Sequence, residues 1–272
     1  MSENTTIPPI RTEVVLHALL MDYIQCQKEK ALQNHNFEDA SCRCGSLALI
    51  FKNAGETEAA CQQYSEEALY AAQAGKWLDA AIALRQAIDI QLELRHFTAA
   101  SSACKTYRQY AEKSGDQNEI QAMLHTVGRF YLDYACDAET SVMDRSSLLD
   151  KADQTLLKAK NAIDRLEMEG DLAFSIINDK KARVWHNYAE VAWHRGQKRM
   201  AFERLNFAIK YASLLRDSVE RNQQLHRSHF DMASWCKDSY NYEEALRNAN
   251  LALENSKECK AEELDTHLLL CS

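Results

Sequence analysis

Alanine stands at Ala40, Ala60, Ala80 and Ala100, a spacing of twenty held three times in succession. Glycine keeps the same beat at Gly55, Gly75 and Gly115, with Arg95-His96 where the missing glycine would fall. Twenty residues make one helix of about four turns and a short connection. Two such units make forty residues, the length of a helix–turn–helix repeat. One pair of helices cannot bury its apolar face alone, so copies stack into a solenoid. Composition removes the alternatives: Pro8 and Pro9 are the only prolines, and there are seven glycines in 272 residues. A strand-and-turn fold needs far more punctuation than that. The expected class is all-α.

The internal pattern names the repeat. A tetratricopeptide repeat places a large residue, then an apolar–small pair three positions on, then an aromatic, with alanines in the second helix. Leu124-x-x-Val127-Gly128-x-x-Tyr131 fits its first half. Trp185-x-x-Tyr188-Ala189 fits too, followed by Gly196, Ala201, Leu205 and Ala208. Cys44-x-x-Leu47-Ala48-x-x-Phe51 leads to Gly55, Ala60 and Tyr64, and a last copy runs from Met232-Ala233 through Asn241–Ala245 to Ala252. A weaker copy surrounds Ala87-Ile88 and Ala100. Small residues let helices approach closely while large ones fill the holes beside them. The expectation is a right-handed α-solenoid of tetratricopeptide (TPR) repeats with a period of about 40 residues. Residues 1–10 form a flexible N-terminus and 11–272 a single solenoid. It comprises a leading helix at 11–33, repeats near 37–75, 77–115, 117–169, 181–221 and 226–258, and a capping helix at 261–272 that shelters Leu268, Leu269 and Leu270. Asp116-x-x-Glu119, Ser147-x-x-Asp150 and Asn241-x-x-Glu244 are expected helix starts. Asp137–Leu149 reads as an insertion between the helices of the third repeat, and Gly170-Asp171 to Lys180 as a lengthened connection.

The formal net charge is −8 and no cluster of five or more Lys/Arg occurs, so the electrostatic footprint of direct nucleic-acid binding is missing. No apolar run reaches the length of a membrane span, and Met1–Pro9 lacks the regions of a signal peptide. Neither membrane nor nucleic acid is therefore an expected partner. Nine scattered cysteines without a Cys-x-x-Cys pair read as reduced thiols filling small core positions. No phosphate loop, nucleophile elbow or His-Glu-x-x-His motif is present. The chain reads as no enzyme, with no catalytic residue, cofactor or assigned metal ligand. His226 and His229 share a helix face; they are solvent-facing histidines or, in a third hypothesis, the ligands of a small metalloenzyme.

The first helices of such repeats line a concave groove. Candidate groove residues here are Arg85, His125, Arg129, Asp133, Arg183, His186, Asn187, Glu190, His194 and Arg227, with Asp89 and Asp231 on the same faces. Arginine holds carboxylates in a bidentate grip and asparagine can pair with a ligand backbone, so an extended acidic peptide is a fitting guest. The competing reading is that each arginine is offset by a neighbouring carboxylate, as in the i,i+4 pairs Arg85/Asp89 and Arg129/Asp133.

Asn36-Phe37-Glu38-Asp39-Ala40, Glu119-Ile120-Gln121, Thr126-Val127-Gly128-Arg129 and Tyr131-Leu132-Asp133 carry a more specific likeness. So do Ser147-Leu148-Leu149, Lys158-Ala159, Asp164-Arg165-Leu166-Glu167 and Lys181-Ala182-Arg183-Val184. Over residues 36–258, irregular third repeat included, the chain resembles the N-terminal tetratricopeptide region of Tonsoku-like proteins. That resemblance implies a non-enzymatic nuclear scaffold acting at stalled replication forks and in double-strand break repair by homologous recombination. It implies replication-fork, histone or histone-chaperone partners. The family's ankyrin repeats, which read the histone tail, and its leucine-rich repeats, which hold a large helical partner, lie outside the likeness. The alternative is a cytoplasmic TPR adaptor resembling Pins and LGN, binding an acidic peptide in its groove.

Overall fold

The computed structural model describes residues 12–256 together with Thr266 and Leu269. The described residues form eleven helices and no strand: α1 (Thr12–Gln33), α2 (Phe37–Asn53), α3 (Thr57–Gln73), α4 (Trp77–Glu93), α5 (Phe97–Ser114), α6 (Gln117–Cys136), α7 (Val142–Glu169), α8 (Phe174–His194), α9 (Lys198–Ala212), α10 (Ser218–Asp238) and α11 (Tyr242–Asn255). The all-α tetratricopeptide architecture read from the sequence is the one observed. None of the helices is long and apolar enough to cross a membrane. The chain divides into two compact units, residues 1–123 and 124–272. The expected N-terminal tail and most of the capping helix at 261–272 lie outside the described residues.

The beat of twenty is a backbone conformation. His35, Gly55, Gly75, Arg95 and Gly115 all have positive φ, between 54° and 77°. Each of the first four closes a helix with nested bonds: Gly55 N donates to Lys52 O at 3.1 Å and Glu56 N to Phe51 O at 2.9 Å. The same pair recurs as Arg95 N to Leu92 O at 3.0 Å and His96 N to Gln91 O at 2.8 Å. This is the Schellman closure, which satisfies the last carbonyls of a helix. Five residues after each of these four comes an alanine. Ala40, Ala60, Ala80 and Ala100 have no exposed surface, and each donates its N–H back to the residue that starts its helix at 3.0 Å. It is thus a first-turn residue, set where the neighbouring helix comes closest. Gly196 with Ala201 and Tyr240 with Ala245 repeat the arrangement in the second unit.

In the first unit, α1 to α5 pack each against the next. Phe37 stacks on Tyr70 at 6.4 Å and Trp77 tilts on Tyr110 at 5.8 Å. Each pair fastens the start of one helix to the end of the next, and the second pair repeats the first forty residues on. In the second unit, Leu132 and Ala135 of α6 meet Leu148, Leu149, Ala152 and Leu156 of α7 and Tyr188 and Val191 of α8 in one cluster. Met232, Trp235 and Cys236 of α10 pack with Ala201, Leu205 and Ala208 of α9 in another. Gly128 sits where a Cβ would lie 2.7 Å from the Cδ2 and Cγ of fully buried Leu156. The α6–α7 contact therefore requires a bare backbone.

The irregular third repeat departs from expectation. The stretch taken for an inserted loop is mostly helix: only 137–141 connect α6 to α7, and α7 runs 28 residues. Its cap is Ser141, whose hydroxyl accepts from Asp144 N at 3.2 Å, while Ser147 and Asp150 lie inside the helix. With no glycine or proline between 142 and 169, added residues extend a helix instead of breaking it. Likewise α8 begins at Phe174, so the connection after Gly170 is only three residues, 171–173. The other two predicted starts hold, with Glu119 N bonded to Asp116 Oδ1 at 2.6 Å and Glu244 N to Asn241 Oδ1 at 3.4 Å. Among the described cysteines all seven are free, but only Cys44, Cys104 and Cys236 are buried; Cys26, Cys42 and Cys136 are exposed. The expectation that most fill core positions fails, because the helix faces here have room for cysteine at solvent-facing positions too. Burial pushes the Cys44 and Cys104 thiols up to about 12.

Two glycines separate strain from packing. Nothing lies within 4 Å of a Cβ built on Gly75 at φ +74°, so Gly75→Ala should cost about 1–2 kcal/mol through backbone strain alone. Gly128→Leu should cost about 1–3 kcal/mol through overpacking. Leu156→Ala should recover part of the second loss and none of the first. Denaturant unfolding of the three single variants and the two doubles with Leu156→Ala measures this, and simple additivity at Gly128/Leu156 would contradict it.

Candidate functional site

Nine of the ten groove candidates lie in the second unit; Arg85 lies in the first. Arg85 is committed to structure. Its Nε and Nη2 donate to Glu119 Oε1 and Oε2 at 3.1 and 3.3 Å. The Tyr107 hydroxyl donates to the same Glu119 Oε1 at 2.6 Å. Glu119 is 2% exposed and Tyr107 fully buried. Burial, then the Glu119 charge, pushes the Tyr107 phenol far above its usual value. This triad ties α4 and α5 to the start of α6. Sequence spacing pairs Arg85 with Asp89, four residues on; the bidentate grip goes to Glu119, and the Asp89 charge acts on the same guanidinium.

In the second unit the spacing of four sets a row of side chains on each helix. His125, Arg129 and Asp133 rise on α6, Arg183, Asn187, Glu190 and His194 on α8, and Arg227 and Asp231 on α10, and α8 packs directly on α10. Asn187 joins all three. Only 1% exposed, it meets His125 Nε2 through Nδ2 at 2.9 Å and accepts from Arg227 Nη2 through Oδ1 at 3.1 Å. Arg227 Nη2 also donates to Glu190 Oε2 at 2.9 Å. Burial, together with the charges of Arg129, Arg183, Arg227 and Lys180, drives the His125 pKa down to about 3. The imidazole is neutral, and its Nε2 lone pair accepts the amide N–H. Both ends of the Asn187 amide are thus used within the chain, to orient Arg227.

The remaining candidates fall around this relay. Arg129 Nε donates to Asp133 Oδ2 at 3.2 Å. Burial raises the Asp133 carboxyl to about 6 against the opposing pull of Arg129. Arg183, about half exposed, donates from Nε to Asp179 at 2.8 Å. Burial lowers His194, which feels Glu190 and Asp231 as well. His186 has no exposed surface and lies beneath the row, its Nδ1 3.1 Å from Ser228 Oγ. Each of the four candidate arginines meets a carboxylate. Lys180, Asp179 and Ser228 belong to this neighbourhood and were not singled out by sequence. The Asp179–Arg183 spacing was there to be read, but the stretch up to Lys180 reads as a connection. His226 and His229 are neither solvent-facing nor grouped as ligands: His226 Nδ1 lies 3.0 Å from Ala252 O and His229 Nδ1 2.9 Å from Asn248 Oδ1, fastening α10 to α11.

No protein-family model matches the chain. Over 237 residues it is 28% identical to the Tonsoku-like protein of Drosophila melanogaster, an alignment covering 85% of this chain and 16% of that protein. The likeness read from the sequence is therefore found by comparison, and the chain spans about a sixth of the relative's length. Among solved structures, the TPR2AB-domain:pHSP90 complex of yeast Sti1 aligns over 93% of this chain and 97% of its own at 14% identity and a TM-score of 0.28. That score is too low to carry an inference.

The Arg85 triad makes a firm prediction. Arg85→Met strands the buried Glu119 charge and should cost roughly 3–5 kcal/mol. Tyr107→Phe removes one charge-assisted bond and should cost about 1.5–3 kcal/mol. Urea unfolding checks both; an Arg85→Met variant as stable as the parent would show that the pair contributes nothing.

Proposed function

We propose that the chain is a non-enzymatic protein-interaction scaffold whose second unit takes an extended acidic peptide across α6, α8 and α10. The observation that carries this is the Asn187 relay. It fixes Arg227 by two bonds and keeps a neutral histidine at the centre of Arg129, Arg183, Arg227 and Lys180. A carboxylate entering that field meets cations already held in place, so little side-chain entropy is lost on binding. The carboxylates already beside each arginine set the register, since an acidic guest is repelled by Asp133, Asp179 and Glu190 wherever it does not face the guanidinium groups.

The biological setting we propose comes from the likeness to the Drosophila Tonsoku-like protein. It is nuclear, in replication-fork maintenance and homologous recombination, with replication-fork, histone or histone-chaperone proteins as partners. The test uses the tagged full chain from replicating cells, comparing chromatin-bound partners recovered by wild type and by Arg129→Glu/Arg183→Glu. Both arginines sit in partly exposed i,i+4 pairs worth a few tenths of a kcal/mol, so the melting temperature should hardly move. Capture should fall at least tenfold and weaken with added salt. Undiminished capture by the folded variant would sink the peptide-groove reading. Recovery of cortical proteins alone would replace the nuclear role with that of a cytoplasmic adaptor.

A further inference from the structure

The geometry points to a binding site for one divalent transition-metal ion at His186, Glu190 and Asp231. His186 and Glu190 are four apart on α8 and so share a face; Asp231 reaches it from α10. His186 Nε2 lies 3.0 Å from Asp231 Oδ2 and 3.6 Å from Glu190 Oε2. The three donor atoms all fall within 4.8 Å of one another. With metal–ligand bonds of about 2.0–2.2 Å, neighbouring donors in a tetrahedral or octahedral shell stand about 3.0–3.5 Å apart, close to the two separations from His186 Nε2 before any adjustment.

A second observation comes from His186 itself. The residue has no exposed surface, yet its Nε2 makes no aligned hydrogen bond despite the carboxylate 3.0 Å away. A buried nitrogen left so is costly unless something else meets it. The opposite ring nitrogen is held by Ser228 Oγ at 3.1 Å. That is the outer partner a metal-bound histidine ordinarily has, fixing the ring so that Nε2 looks at the ion. Glu190 and Asp231 are each 23% exposed at the side chain, which leaves a way in and room for water as further ligands. One imidazole and two carboxylates suit zinc, manganese, iron or cobalt(II) better than calcium, which takes six to eight oxygens. Arg227 competes, since its Nη2 holds the same Glu190 Oε2 at 2.9 Å. The ion would take that oxygen or leave it bound to both.

The rival explanation is a protonated His186 shared by the two acids. The full chain, stripped with chelator under reducing conditions, is titrated with cobalt(II) and followed by visible absorption and by metal content after desalting. Expected are one cobalt per chain, weak d–d bands without a thiolate charge-transfer band, and at least tenfold weaker binding for Asp231→Asn and Glu190→Gln. A helical spectrum and melting curve unchanged in chelator show that each variant is folded. If either fails to fold, the other carries the test. Wild type itself is read independently by paramagnetic shifts on the His186 ring. Fewer than about 0.2 cobalt per chain, a thiolate band, or unchanged binding by a folded variant would overturn the site.

Discussion

Most of this fold follows from left-handed residues that close helices, at an interval of twenty through α1 to α5. That residue turns the chain back, its own N–H and that of its successor satisfy the open carbonyls, and the next helix starts two positions later. Five positions on, the first turn meets its neighbour, and only a residue as small as alanine fits there. Ala40, Ala60, Ala80 and Ala100 all have no exposed surface for this reason. What repeats is the conformation, with glycine its usual bearer. His35, Arg95 and Tyr240 adopt it with φ of 54°, 58° and 60°, at a strain of about 1–2 kcal/mol each. The strain is tolerated because opening any one closure would also release the helix contact beyond it.

This explains which parts of the fold were legible. The regular repeats could be read from sequence because their geometry selects residue types at fixed spacing. The third repeat could not. Ser141-x-x-Asp144 and Ser147-x-x-Asp150 are the same pattern, and apolar periodicity favours the second, since Leu148 and Leu149 are buried. The helix in fact begins six residues earlier, with Val142 and Met143 more than four-fifths exposed. A turn of helix that projects past the core leaves no burial pattern to read. The site divides in the same way. Rows of charge four apart on α6, α8 and α10 are visible in the sequence, but the amide bonds that link them run between residues 40 and 62 positions apart. Arg85 and Arg129 each have an aspartate four residues on; a buried carboxylate, held in turn by a tyrosine hydroxyl, draws Arg85 across to another helix.

Apolar and polar contacts contribute differently. Neighbouring helices are held by alanine, leucine and aromatic packing, as in the cluster of α8, α9 and α10. Helices two apart are joined through polar groups as well: Lys28 to Glu66 between α1 and α3, Arg85 to Glu119 between α4 and α6, and Arg227 to Asn187 and Glu190 between α8 and α10. Apolar surfaces can slide by a fraction of a turn at little cost, whereas a buried ion pair pulled from alignment loses its partner and stays out of water. The polar links therefore fix register where the packing alone would leave play.

Glu190 is where that logic meets function. One carboxylate oxygen serves Arg227 at 2.9 Å and faces His186 at 3.6 Å. Whatever strengthens its hold on one side weakens it on the other, because the two partners draw on the same lone pairs. If the proposed guest and the proposed cation both bind, each would draw on this one carboxylate, the guest through Arg227 and the cation directly, and by linkage any effect of one on the other would be equal in both directions.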